Sequence, residues 1–244
     1  AALAATVEAL RSGAIIAIKG LGGFHLCCDA QNDQAVSKLR QRKMRAAKPF
    51  AVMMPDVQSV RQYCLLSKEE CDWLEDRSRP IVLLRTNSCT SPPLSKEINP
   101  HNNYLGVMLP YTPLHHILLR DFGAPLVATS GNMSEEPIAI SNEEALTRLG
   151  QIADGFLLHD RNIESCYDDS VTRIFLSEKM ILRRSRGLAP IPLNLPYKAE
   201  GCVLACGGQL KNTFCLVSGD KAYVSQHIGD LENLETYENF TRAL

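Results

Sequence analysis

Several signatures are missing from this chain, and each absence removes a class of function. No apolar run reaches the roughly 18 residues that a helix needs to cross a bilayer, and no secretory signal opens the sequence. Charge of one sign is missing too. The 26 Lys and Arg stand against 27 Asp and Glu, which argues against a general coat for nucleic acid but leaves room for a local basic patch. There is no Cys-x-x-Cys pair, no histidine at zinc-ligand spacing from a cysteine, and no Gly-x-Ser-x-Gly nucleophile elbow. A Walker loop and a dinucleotide glycine fingerprint are absent as well. Internal repeats and low-complexity tracts do not occur.

What remains is the composition of a folded protein. The 244 residues are 45% hydrophobic and 22% charged, enough for one large domain or two modest ones with a sizeable core. The nine cysteines are odd in number and mostly sit in apolar runs such as Phe24-His25-Leu26-Cys27-Cys28. They read as reduced core thiols of a cytoplasmic protein rather than a disulfide framework. The chain starts without Met and stops at Thr241-Arg242-Ala243-Leu244 inside a helical pattern, so it is expected to be a piece of something longer.

Along the chain, residues 1–12 predict an Ala/Leu-rich helix stopped by Gly13, and 14–18 a buried strand leading into the glycine-rich loop Lys19-Gly20-Leu21-Gly22-Gly23-Phe24. Asn32 or Asp33 caps a helix to about residue 44, and 50–54 is a second buried strand. Ser67 and Glu70 form a capping box, as do Ser141 and Glu144. Strands are expected at 81–84, 105–109, 125–128 and 156–158, helices at 112–122 and 141–150, and a late hairpin flanks residues 177–179. Helices alternating with strands and a closing hairpin indicate an α/β (α+β) domain over 1–187 with a mixed sheet. Pro190, Pro192 and Pro196 mark a linker over 188–200. Residues 201–244 read as the opening of a second domain, with a strand, a hairpin and a final helix capped by Asp230.

Three patches carry chemical potential. Lys38, Arg40, Arg42, Lys43, Arg45 and Lys48 put six cations into eleven residues with no acid among them. Helical spacing places Lys38, Arg42 and Arg45 on one face, with Pro49 leaving the last cations at a helix–loop junction. Such crowding repels itself unless an anion neutralises it, which points to phosphate; a solvated helix face is the plainer alternative. The glycine loop lets backbone approach a ligand, or is simply a tight turn. Thr129-Ser130-Gly131-Asn132-Met133-Ser134 follows a buried strand, where open α/β sheets place ligands, and a polar helix-capping turn is equally open. Arg183, Arg184 and Arg186 face either Asp168 and Asp169 or a phosphate. His115 and His116 are read as packing and surface. Together these favour a nucleotide or acyl-phosphate ligand without naming the reaction.

The motifs Lys19-Gly-Leu-Gly-Gly-Phe-His25, Arg42-Lys43-Met-Arg45-Ala-Ala-Lys48, Ala128-Thr-Ser-Gly-Asn132-x-Ser134, Asp169-Ser170-Val and Leu182-Arg-Arg-Ser-Arg186-Gly, in that order, resemble the YrdC-like domain of the HypF carbamoyltransferase family. That family matures nickel–iron hydrogenases. The tail, Ala205-Cys-Gly-Gly-Gln-Leu-Lys211 and Ser225-Gln-His-Ile-Gly-Asp230, resembles the start of its actin-like transferase domain.

The resemblance implies a twisted mixed sheet that binds ATP and makes carbamoyl-adenylate from carbamate derived from carbamoyl phosphate, with Mg²⁺ sharing the phosphate charge. Transfer would end on the C-terminal cysteine of a protein partner, HypE. By the resemblance, Lys43 and Arg45 hold the ATP phosphates. Thr129, Ser130, Asn132 and Ser134 serve the phosphate and adenylate oxygens, and Arg183, with Arg186 a substitute, completes the set. Lys19, His25 and Lys48 are expected at the carbamoyl group, and Lys19, Lys43 and Arg45 as the catalytic cations. Zinc is expected only in upstream zinc fingers outside this stretch, so no metal site is expected here, nor a membrane partner. Transfer to HypE is not expected from this piece alone. Alternatives are an O-carbamoyltransferase of secondary metabolism, a threonylcarbamoyl-adenylate synthase, and a double-stranded RNA-binding module that uses the basic helix.

Overall fold

The structure is a computed structural model that describes residues 1–87, 90–133 and 136–244. Its first unit is a mixed sheet between two helical layers. In chain order the elements are α1 (Ala2–Arg11), β1 (Ile16–Lys19), β2 (Phe24–Asp29), α2 (Asp33–Arg42), β3 (Ala51–Met53), α3 (Val57–Tyr63), β4 (Cys64–Leu65), α4 (Lys68–Leu74), β5 (Ile81–Thr86), β6 (Tyr104–Met108), α5 (Pro113–Phe122), β7 (Leu126–Ser130), α6 (Asn142–Leu149), β8 (Gly155–Leu157), β9 (Val171–Phe175) and β10 (Glu178–Arg183). Among the described residues the strand order is β10-β9-β5-β6-β3-β7-β2-β1-β8, with β4 added beside β5. Pairs β1–β8, β3–β6 and β5–β9 are parallel, and the others are antiparallel, three of them in succession from β3 through β7 and β2 to β1.

Side-chain alternation along the strands divides two cores. Leu26, Cys28 and Val127 face Val36 and Leu39 of α2, Val60 of α3, Leu74 of α4 and Leu149 of α6. Cys27, Leu126 and Ala128 face Val7 and Leu10 of α1 and Leu118, Leu119 and Phe122 of α5. His25, two residues before Cys27, and Ser130, two after Ala128, therefore lie on the α1/α5 side, and they are direct partners in the β2–β7 register.

Local chemistry sets the element ends. The Asn32 side chain accepts from the Gln34 and Ala35 amides at the start of α2. Both capping boxes form, at Ser67–Glu70 and Ser141–Glu144. Thr112 caps α5, Pro113 starts it, and left-handed Gly123 stops it. Gly131 lets the end of β7 lie on β2: its amide donates to Phe24 O at 2.7 Å, and a Cβ there would sit 2.7 Å from Phe24 Cβ.

Residues 188–200 are more than a linker. Within them β11 (Leu193–Asn194) joins a second, antiparallel sheet of order β11-β14-β13-β12, formed with β12 (Cys202–Ala205), β13 (Cys215–Ser218) and β14 (Lys221–Val224). Helix α7 (Leu234–Ala243) follows, capped by Asn233 rather than Asp230. The Asp230 carboxylate accepts instead from the Lys211 amide at 2.6 Å, bracing the turn before α7. Among the described residues no helix is long and apolar enough to cross a membrane.

Candidate functional site

The basic run does not act as one cationic face. Helix α2 ends at Arg42, Lys43 is its C-cap, and left-handed Met44 turns the chain so that Arg45 leaves the helix. Lys38 and Arg42 both pair with Asp154, each at 2.8 Å, and the same carboxylate accepts from the Ile15 amide at 2.9 Å. Burial raises the Asp154 carboxyl, but these donors outweigh it and hold it at about 2. Arg40 is buried, with its guanidinium donating to the carbonyls of Glu97 and Arg45. The acid that neutralises the helix face lies over a hundred residues away in sequence, so local spacing could not reveal it.

Lys43, Arg45 and Lys48 form a different group at the end of β7. The buried Lys43 ammonium donates to Ser130 O at 2.7 Å, to Asn132 Oδ1 at 2.7 Å and to Asn132 O. Ser130 Oγ donates to the same Asn132 Oδ1 at 2.8 Å. Arg45 donates to Thr129 Oγ1 and to Lys48 O, each at 3.0 Å, and its guanidinium lies 5.0 Å from the Phe50 ring centroid. Burial, reinforced by Arg45, pushes Lys43 down to about 7. Burial and the neighbouring Arg40 and Arg183 bring Arg45 to about 10. Both cations are held in a place that disfavours their charge, the condition that a bound anion relieves. Thr129, Ser130 and Asn132 thus come together with Lys43, Arg45 and Lys48. Ser134 lies outside the described residues.

The arginines after the hairpin divide. Arg183 pairs with Asp168 and donates to Asp169 O at 2.8 Å, on the border of the cationic group. Arg186 is committed elsewhere: it bonds Asp169 Oδ1 at 2.9 Å through Nε and Nη2, and the carbonyls of Ser78 and Arg79 at 3.0 and 2.9 Å. Its guanidinium also lies 3.6 Å over the Tyr111 ring. Asp169 takes His25 Nε2 at 2.9 Å on its other oxygen. Burial alone would raise the Asp169 carboxyl, yet Arg186 and His25 hold it well below the usual carboxylate range.

Tyr111 and His115 pack edge to face against each other and against His25. Burial and then His25 push His115 down to about 3, so it is a neutral packing residue, as its helix position implied. The role of Tyr111 had no local signal; only the fold brings it under Arg186. Lys19 is bonded outside the cationic group. Ile16 and Ile18 of β1 face the α1/α5 core, so Lys19 takes the opposite face, that of Thr129, but its buried ammonium donates to His159 O at 3.1 Å. Cys166, next to Asp168, is pushed up by burial to about 11 and is no thiolate nucleophile.

The donors around the cationic group do not suit a protein-held Mg²⁺, because the carboxylates that face it, Asp168 and Glu136, are already paired with Arg183 and Arg148. Among the described residues no group of three or more His, Cys, Asp or Glu is placed to hold a metal ion.

Residues 8–185 match the Sua5–YciO–YrdC family profile, described as telomere recombination. The chain belongs to this family. A second profile, the HypF Kae1-like domain, matches residues 198–244. The Carbamoyltransferase HypF of Synechocystis is 49% identical over 243 residues, which is 100% of this chain and 31% of that protein. A crystal structure of full-length HypF in a phosphate- and nucleotide-bound form matches at a TM-score of 0.95 and 48% identity, over 98% of this chain and 32% of that one. The threonylcarbamoyl-AMP synthase of Mus musculus is 32% identical over 170 residues, covering 68% of this chain and 59% of that protein. The chain spans about a third of the length of the carbamoyltransferases that it matches.

Proposed function

We propose that this chain is the adenylate-forming part of a HypF-type carbamoyltransferase, joining carbamate to the α-phosphate of ATP. One observation carries the reading: the buried Lys43 and half-buried Arg45, destabilised as free cations, meet the small polar side chains at the end of β7. Whole-chain similarity to carbamoyltransferases and to a nucleotide-bound HypF structure supports it.

In this mechanism the phosphate chain enters against Lys43, Arg45, Lys48 and Arg183. A phosphate oxygen takes the place of Asn132 Oδ1 on the Lys43 ammonium, freeing that carbonyl oxygen, and the Ser130 hydroxyl that donates to it turns to contact the adenylate. An oxygen of carbamate attacks the α-phosphorus; the new O–P bond forms as the Pα–O–Pβ bond breaks, and pyrophosphate leaves with the electron pair. Charge grows on the leaving pyrophosphate, and preorganised cations stabilise it. Carbamate is assigned to Lys48, because Lys19 and His25 lie on opposite faces of the sheet and are bonded to His159 O and to Asp169. Arg186, with its donors already used, holds the wall of the site through Asp169 and Tyr111. In the whole protein the carbamoyl group passes to HypE, in the cytoplasm.

Titration of ATP with Mg²⁺ into the chain tests the site. Saturable binding that weakens at least tenfold in Lys43→Ala/Arg45→Ala is expected, together with pyrophosphate exchange that depends on carbamoyl phosphate. Unchanged binding in the double variant overturns the assignment. The synthase likeness favours a second reading, threonylcarbamoyl-adenylate formation. Exchange driven by L-threonine and bicarbonate, and not by carbamoyl phosphate, would select it.

A further inference from the structure

The two units meet beside the cationic group. The loop after β14 runs through Ser225, Gln226, His227 and Ile228, and it is braced from within its own unit. Asn212 N donates to Gly229 O at 2.7 Å, Ile228 N returns a bond to Asn212 O at 2.9 Å, and the Asn212 side chain holds the carbonyls of Cys206 and Gly208. The loop is then pinned to the first unit, because His227 N donates to Arg184 O at 2.8 Å. A second anchor follows at the start of α7, where Glu235 lies 3.5 Å from Arg148. Arg148 also pairs with Glu136 at 2.7 Å, and the Glu136 carbonyl accepts from the Asn132 amide. The docking contacts therefore reach the residues that surround Lys43.

The half-buried His227 imidazole sits in the field of Arg183, Asp168, Lys48 and its own neighbour Asp230. Burial and then Arg183 lower its pKa, so it is a neutral ring beside cations. Three of those four groups border the phosphate site described above. Asp168 is committed to Arg183 and Asp230 to the Lys211 amide, and the groups that Lys48 and Arg183 adjoin in the phosphate site, Lys43 and Arg45, are cationic. A neutral imidazole there offers a ring N–H to an anion without adding to the repulsion, and becomes a stronger donor once the anion is present.

We propose that His227, carried by the second unit, is a ligand of the same phosphate chain that Lys43 and Arg45 hold in the first, so that the nucleotide site is shared between the two units. This rests on the adenylate-forming reading. The class of ligand is a nucleoside triphosphate or the pyrophosphate that leaves it. The loop is held by the His227 backbone amide, so removing the side chain leaves its anchor to Arg184 in place.

Calorimetric titrations of ATP and of inorganic pyrophosphate into the full chain test this in the unaltered protein and in His227→Ala and His227→Gln, with thermal unfolding as the check on folding. His227→Ala should weaken both ligands about tenfold, which is about 1.4 kcal/mol. His227→Gln, which keeps a donor of similar reach, should regain most of the loss. Binding within twofold of the unaltered chain in His227→Ala overturns the proposal while leaving the reading of Lys43 and Arg45 intact. Equal losses in both variants, at unchanged unfolding temperature, also overturn it, since a donor role requires the rescue. Failure of the unaltered chain to bind either probe removes the adenylate-forming reading and this inference together.

Discussion

Anion binding at Lys43 should take up a proton, and the amount follows from its surroundings. The groups that face this ammonium are Arg45 and Lys48 beyond α2, Asp168 ahead of β9 and Glu136 beyond β7. Burial and Arg45 outweigh the two carboxylates and bring Lys43 to about 7. At pH 8, roughly a tenth of such a group carries its proton, against nearly all of an ordinary lysine. A phosphate oxygen replacing Asn132 Oδ1 supplies the opposite charge the site lacks and returns the pKa toward its usual range. Binding ATP at pH 8 should therefore absorb about 0.9 proton, falling to about half a proton at pH 7.

Titrations in Tris, HEPES and a buffer of low ionisation enthalpy read this as the slope of binding heat against buffer enthalpy. Lys43→Gln should flatten the slope. A zero slope in the unaltered chain with saturable binding refutes the reasoning, and so does a slope that survives in Lys43→Gln. Stability without ligand carries the matching sign. Between pH 7 and 10.5 the unfolded chain binds more protons at this residue than the native one, so the Lys43 contribution makes stability rise with pH across that window.

Asp169→Asn should leave the buried Arg186 without its counter-charge, at a cost of about 3 kcal/mol or more, and lower the unfolding temperature by about 6–12 °C; a shift within 2 °C sinks the assignment of this pair as structural. Asp154→Asn should destabilise by about 1–2 kcal/mol in urea titrations near neutral pH, discounted for solvent screening because the carboxylate is 29% exposed. Its carboxyl is depressed, so that contribution is present above the usual carboxylate range and lost as pH falls through about 2; a variant as stable as the parent at pH 7 counts against the clamp.

Period and punctuation made most of the fold legible. Asn32, the two capping boxes, Gly13 and Gly123 ended helices where the sequence indicated. Elements of little length escaped: β4 is two residues, and α3 lacks an apolar stripe long enough to register. Strand β2 was visible only as an apolar run, since it is buried on both faces and does not alternate.

In the site, residue type marked the basic run and the polar turn after β7, the family resemblance picked Lys43, Arg45, Ser130 and Asn132 out of them, and the structure brings these together with Thr129. Asp168 and Asp169 stand in the sequence as candidate partners of the late arginines, and Arg186 pairs with Asp169, but the distant partners were not legible. Lys38 and Arg42 answer to Asp154, Arg186 also to Ser78, and His227 to Arg184, pairings made by tertiary folding across up to 116 residues. Asp230 shows the same limit at short range: a good cap by type, it was claimed by Lys211 first.

The commitments of Arg186 also bear on how the molecule opens. One guanidinium ties the segment after β10 to Asp169 before β9, to the turn between α4 and β5, and to Tyr111 at the head of α5. A hairpin at the rim of a sheet ordinarily frays first and exchanges its amide protons with little resistance. Here, releasing it exposes a buried ion pair and unseats an aromatic ring from the wall of the site. The β9–β10 rim and the floor of the pocket therefore belong to one cooperative unit, and protons there should exchange on the slow clock of the core.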